Sequence, residues 1–94
     1  MAAVARLGDK CSGHGCFPPR VNDSASSDVF VNSKGVHRVG DHWVTHKCNK
    51  KTHDSTLAEG SSTVFVNGKA VGRIGDDVAC GSVIAQGSPN VFSG

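Results

Sequence analysis

The sequence predicts an all-β fold of short strands and tight hairpins, built as three copies of one unit. Three observations carry this expectation. Two short motifs recur along the chain at one common offset, β-branched and aromatic triplets run straight into turn residues, and helical periodicity is absent.

The repeat sets the frame. Ala5-Arg6-Leu7-Gly8-Asp9 matches His37-Arg38-Val39-Gly40-Asp41 and then Gly72-Arg73-Ile74-Gly75-Asp76. Between these lies a second element: Ser27-Asp28-Val29-Phe30-Val31-Asn32, then Ser62-Thr63-Val64-Phe65-Val66-Asn67, then Pro89-Asn90-Val91-Phe92. The step from Val29 to Val64 is 35 residues, and so is the step from Asp41 to Asp76. Two motifs holding one offset define a true repeat, with altered copies at the ends as terminal repeats usually are. The 94 residues make one domain, 1–94.

Each unit reads as a hairpin. Val-Phe-Val alternates its side chains between two faces, and Asn67-Gly68 is the preferred pair for a type I′ turn. The first repeat offers Asn32-Ser33-Lys34-Gly35, a looser turn. Ala70-Val71 starts a return strand and Gly75-Asp76 turns it again, while Pro18-Pro19 forces an extended segment. A unit this small closes no core alone. Three around a pseudo-threefold axis do, with Phe30, Phe65 and Phe92 as equivalent core candidates.

Composition adds a requirement. Hydrophobic residues are 37% of the chain, aromatics 5%, and there are 12 glycines, each costly in backbone entropy. A domain of this kind needs a staple: disulfides, a metal or a partner. The net charge of +2 and the single basic cluster from Lys47 to Lys51, read as a solvated loop, argue against nucleic acid. No run of 18 apolar residues is present, and the first ten residues lack the basic and apolar regions of a signal peptide. Synthesis in a reducing compartment then makes metal binding the expected role of Cys11, Cys16, Cys48 and Cys80, ahead of disulfides.

The donors fall in register. His14 lies five residues after Asp9, His46 five after Asp41, and Cys80 four after Asp76. One donor from each repeat converges on the axis, and His53, seven residues after His46, supplies the fourth corner. His14, His46, His53 and Cys80 then fill a tetrahedral Zn2+ site with no open position, which makes the ion structural. Cys48, two residues past His46, is the rival for the fourth corner. His37 and His42 have no donor counterparts in the other repeats and are set aside, and Cys11 and Cys16 are read as buried free thiols. A zinc hydrolase would need an open coordination site and a general base, and Glu59 is the one glutamate. A zinc-ribbon adaptor would pair Cys-x-x-Cys knuckles, which are missing.

Asn67-Gly68-Lys69-Ala70-Val71-Gly72-Arg73-Ile74-Gly75-Asp76, Gly87-Ser88-Pro89-Asn90-Val91, Gly13-His14-Gly15 and the stretch Gly13 to Arg20 together resemble the PAAR-repeat proteins. The resemblance runs over essentially the whole chain. The family's four-letter motif is never intact: the slots read Ala3-Val4-Ala5-Arg6, Gly35-Val36-His37-Arg38 and Ala70-Val71-Gly72-Arg73, and only the arginine is kept in all three. The resemblance implies a small cone whose blunt base sits on a trimeric β-helix spike and whose tip holds zinc on three histidines and a cysteine, here His14, His46, His53 and Cys80. It implies a non-enzymatic spike tip, one chain per trimer, that meets a target membrane transiently. The spike would be the valine-glycine repeat protein of type VI secretion or the central spike of a contractile phage tail, so the chain belongs either to a virion baseplate or to a bacterial cytoplasm before delivery. The alternative reading is a zinc-binding adaptor that recruits effector cargo to a secretion spike. With Gly94 just past the third repeat, a bare tip without a toxin domain is expected, slightly favouring a phage tail.

Overall fold

The computed structural model describes residues 2–94. The described residues form no helix, only strands, bridges and turns. In chain order the strands are β1 (Ala2–Ala3), β2 (Phe30–Val31), β3 (Lys34–Gly35), β4 (His42–Cys48), β5 (Lys51–Thr56), β6 (Phe65–Val66), β7 (Lys69–Ala70) and β8 (Phe92–Ser93). They pair antiparallel in twos: β1 with β8, β2 with β3, β4 with β5, and β6 with β7. The molecule is elongated, 38 × 24 × 21 Å.

What joins these pairs is a ring of backbone hydrogen bonds passing from repeat to repeat. His37 N–H donates to Ala5 C=O at 3.0 Å, Gly72 N–H to His37 C=O at 2.9 Å, and Ala5 N–H to Gly72 C=O at 2.9 Å, closing the circuit. A ring outside it repeats the pattern, with Leu7 donating to Gly35, Val39 to Ala70 and Ile74 to Ala3. The three matched pentapeptides are the segments that form these rings. Each also closes on itself, its arginine forking onto its own aspartate three residues on. Nε and Nη2 reach the carboxylate at 3.0 and 3.0 Å in Arg6–Asp9, 2.8 and 3.0 Å in Arg38–Asp41, and 3.0 and 2.9 Å in Arg73–Asp76. The arginine kept in all three slots is thus one half of a repeated ion pair whose aspartate is buried each time. Ser26, Ser61 and Ser88 do a matching job at the hairpins, each Oγ accepting the N–H three residues on, from Val29, Val64 and Val91.

Both hairpin turns have two central residues at positive φ: Asn67 at 55° and Gly68 at 77°, Asn32 at 53° and Ser33 at 65°. The first-repeat turn is therefore as tight as the Asn-Gly turn and not the looser one expected, because asparagine tolerates the left-handed region and register fixes the rest. The core is in two layers. Val4, Val36 and Val71 form one with Val31 and Val66 against it, and Ala5, Cys11, Trp43, Leu57, Val78 and Ile84 form the other. Phe30, Phe65 and Phe92 do not join either. They are 59%, 58% and 50% exposed, since β2 and β6 turn Val31 and Val66 onto the valine layer and their phenylalanines to the other face, while Phe92 only borders the layer's edge.

Candidate metal centre

Three different local structures deliver the predicted donors. His46 and His53 face one another across β4 and β5 as a directly opposed pair, on the arms of a hairpin whose turn is Asn49-Lys50, with Asn49 at φ 55°. Strict alternation would send Trp43 and His46, three apart, to opposite faces, yet both are buried. A register shift between them restores the phase, so the bulge at Val44-Thr45 is what aims His46 inward. His14 opens a small turn closed by two bonds with Phe17, His14 N–H to Phe17 C=O at 3.0 Å and the reverse at 2.8 Å. Gly13 has to be glycine: a Cβ there would lie 2.5 Å from the Phe17 carbonyl oxygen. Cys80 sits in a turn closed by Gly81 N–H donating to Val78 C=O.

The donor atoms of His14, His46, His53 and Cys80 all lie within 4.8 Å of one another. His53 Nε2 is 2.6 Å from His46 Nε2 and 3.0 Å from His14 Nε2. Protons cannot satisfy this cluster. His46 Nδ1 is 2.9 Å from the Pro18 carbonyl, which only accepts, so Nδ1 carries the proton and Nε2 presents a lone pair. His53 Nε2 has at most one hydrogen to give, and two nitrogens face it. A cation between the rings resolves the conflict, and the donor spacings, from 2.6 Å up to 4.8 Å, bracket the edge of about 3.3 Å for a tetrahedron with zinc–nitrogen bonds of about 2.0–2.1 Å. Burial first, then the charges of Arg20 and the neighbouring imidazoles, lowers the His46 pKa against the opposing pull of its Pro18 bond. Burial, then His14 and Arg20, lowers that of His53. Both rings are thus kept neutral, the form that binds metal.

Phe17, which the sequence reading passed over, packs its ring 4.9, 4.8 and 4.2 Å from those of His14, His46 and His53. Only the strand register and the His14 turn bring it there. The set-aside histidines do other work. His37 is fully buried, with Nδ1 2.8 Å from the Ser24 carbonyl and its ring edge-on to Trp43. His42 lies between two carboxylates, Asp23 at 2.6 Å and Asp54 at 2.8 Å. The cysteine reading needs correction. Cys16 is not a free thiol and Cys48 is not a competing ligand: they form a disulfide, with Cα atoms 5.5 Å apart. The pairing joins the His14 turn to the end of β4, a proximity created by two donor-bearing segments meeting and invisible along the chain. Cys11 is a buried free thiol, as expected.

A family model, the PAAR motif, matches residues 18–86. The chain belongs to the PAAR-repeat family. His46, His53 and Cys80 fall inside the match and His14 just before it. No curated protein matches the chain. PAAR membership gives it a spike-tip role in contractile injection or type VI secretion machines and association with a spike protein, and this PAAR chain brings a His3Cys group to metal-binding distance.

Proposed function

We propose that this PAAR protein, folded as one domain over 1–94, caps the trimeric β-helical spike of a contractile injection machine and sharpens it to a point that pierces the target envelope. One observation carries the reading. Val29, Val64 and Val91 are 37%, 41% and 37% exposed and, with Phe92, border the Val4, Val36 and Val71 layer around a shallow cavity of about 170 Å³, while Phe30 and Phe65 stand exposed outside its lining. A three-part apolar surface on one small chain is the complement of a three-stranded end. A β-helix trimer ends in open strand edges that need cover, and a single chain with three similar units covers all three while tapering to one apex. We read the hydrogen-bonded ring as pseudo-threefold and the 38 Å long axis as that of a cone.

At the apex we assign Zn2+ to His14, His46, His53 and Cys80. When bound, it supplies a closed structural cross-link among the His14 turn, the β4–β5 hairpin and the Cys80 turn, with no position left for a catalytic water. The protein would travel with its spike, on a virion baseplate or from a bacterial cytoplasm. The test is assembly with a trimeric spike followed by native mass spectrometry. One chain per trimer is expected, and replacing Phe30, Phe65 and Phe92 together with Asp should abolish the complex. A stable 3:3 assembly, or binding indifferent to the triple change, would overturn the cap.

A further inference from the structure

A buried cation stands against the sulfur corner of the metal centre. Arg20 is 6% exposed. Its Nε donates to the Val44 carbonyl at 2.6 Å, its Nη1 to Cys11 Sγ at 3.1 Å and its Nη2 to Cys80 Sγ at 3.3 Å, while the guanidinium lies over the Trp43 ring at 5.6 Å. Arg6, Arg38 and Arg73 each own an aspartate; among the described residues no carboxylate lies within ion-pair distance of Arg20. A buried cation without a counter-charge costs several kcal/mol. The polar groups that meet this one are the Val44 carbonyl and the two sulfurs.

Backbone bonds place all four donors: His46 and His53 by the β4–β5 ladder, His14 by its own closed turn, and Cys80 by a turn closed from Val78 to Ser82 and tied to β5 through Ala79 N–H on the Thr56 carbonyl. At Cys80 alone a buried side chain, Arg20, also contacts the donor atom itself. Its planar fork spans Cys11 and Cys80, and it is anchored at the far side by the carbonyl of the same bulge that aims His46.

We propose that Arg20 is the positioning residue of the metal centre, its fork fixing the direction in which Cys80 Sγ meets the three imidazoles. The inference rests on the assignment of the metal to His14, His46, His53 and Cys80. Loss of the sulfur removes both a ligand and the partner of Arg20 Nη2, so Cys80→Ala should lose more metal affinity than His53→Ala.

Cobalt(II) titration of the full chain tests this through the sulfur-to-cobalt charge-transfer band. An N–H donor stabilises the sulfur lone pair, so Arg20→Met should move the band to lower energy and weaken cobalt binding by about tenfold or more, in the range usual for outer-shell partners of a metal ligand. Arg20→Lys, which has one ammonium in place of a fork, should fall between. The tetrahedral d–d bands should persist throughout. If Arg20 only supports Trp43 and the Val44 carbonyl, the variants will melt earlier with the band unmoved, and the inference fails. Should neither variant fold, wild-type protein loaded with cadmium-113 gives the same answer: scalar coupling between the Arg20 Nη2 protons and the metal, carried through the Cys80 sulfur, is expected, and its absence overturns the contact. A wild-type chain that takes up neither ion would sink the metal assignment itself along with Arg20.

Discussion

At the scale of single residues the fold works by repeating a few bonded pairs and then departing from the repeat where space or chemistry demands. The slot shared by Ala5, His37 and Gly72 shows this. One fully buried imidazole fills this slot in one repeat, and its two counterparts are the smallest residues available; a Cβ on Gly72 would lie 2.6 Å from Leu57 Cδ2. The Arg–Asp forks are the opposite case, kept alike in every repeat. Asp41 is buried, which pushes its carboxyl up, but the side-chain and backbone bonds from Arg38 outweigh this and hold it below the usual carboxylate range. Removing Arg38 strands that carboxylate, so Arg38→Met should cost about 3 kcal/mol in urea unfolding at neutral pH, at the low end for breaking a buried pair. A folded pKa below the unfolded one gives stability that is full above about 3.9 and is lost as pH falls through the folded value. His42 has the reverse sign. Its bonds to Asp54 and then Asp23 raise its pKa, so its contribution is full below about 6.5 and fades as pH rises through the folded value. Thermal melts of the zinc-loaded protein from mildly acid to mildly basic pH, minus the same series for His42→Gln, should show the difference shrinking toward high pH. A difference that is flat or grows would remove His42 as a clamp.

At the scale of elements the ladder and the turns control what can be read in advance. The Asn67-Gly68 hairpin and the repeat offset were legible because each depends on neighbours in sequence. The outward phenylalanines were not, since a two-residue strand does not declare which face will find a partner. The bulge at Val44-Thr45 was likewise hidden, although it alone brings Trp43 and His46 to one side. Counting from the repeat picked His14, His46 and Cys80, and spacing from His46 added His53; these four side chains do come within 4.8 Å of one another, whereas Phe17 and Arg20 reach the same place from outside the repeat pattern. The Cys16–Cys48 bond spans 32 residues, the same span as His14 to His46. Alone, closing a loop of that size is worth about 3–4 kcal/mol in the chain-entropy account. A metal between His14 and His46 already closes nearly the same loop, so the two cross-links should not add. Cys16→Ala/Cys48→Ala should still bind one zinc, because neither sulfur is a ligand, and with zinc bound it should lose less than about 1 kcal/mol of that value. A full loss in the loaded protein would mean that the metal does not bridge the His14 turn to β4.

At the scale of the whole molecule the question is what holds together a domain with so little inside it. Trp43, Leu57 and Ile84 are the only large apolar side chains fully buried among the described residues; the rest of the core is valine, alanine and cysteine. The hydrogen-bonded ring organises the three repeats, but a net contribution of about 1 kcal/mol per bond leaves it far short of offsetting the backbone entropy of residues 2–94. Cross-links therefore have to carry a large share, and the His14, His46, His53 and Cys80 group would supply one beside the second core layer, against which Cys80 packs. Structural zinc contributes its binding energy directly to folding, about 10–16 kcal/mol in small zinc domains near neutral pH. Metal analysis of purified protein should give one zinc per chain. Stripping that zinc from reduced protein with a strong chelator should collapse the β-sheet circular dichroism signal at 25 °C. With Cys16–Cys48 intact, stripping should leave part of the signal, because one closure of the 32-residue span survives. A reduced, metal-free chain that melted as a single transition at the same temperature as the loaded one would show that the core and ring suffice without either cross-link.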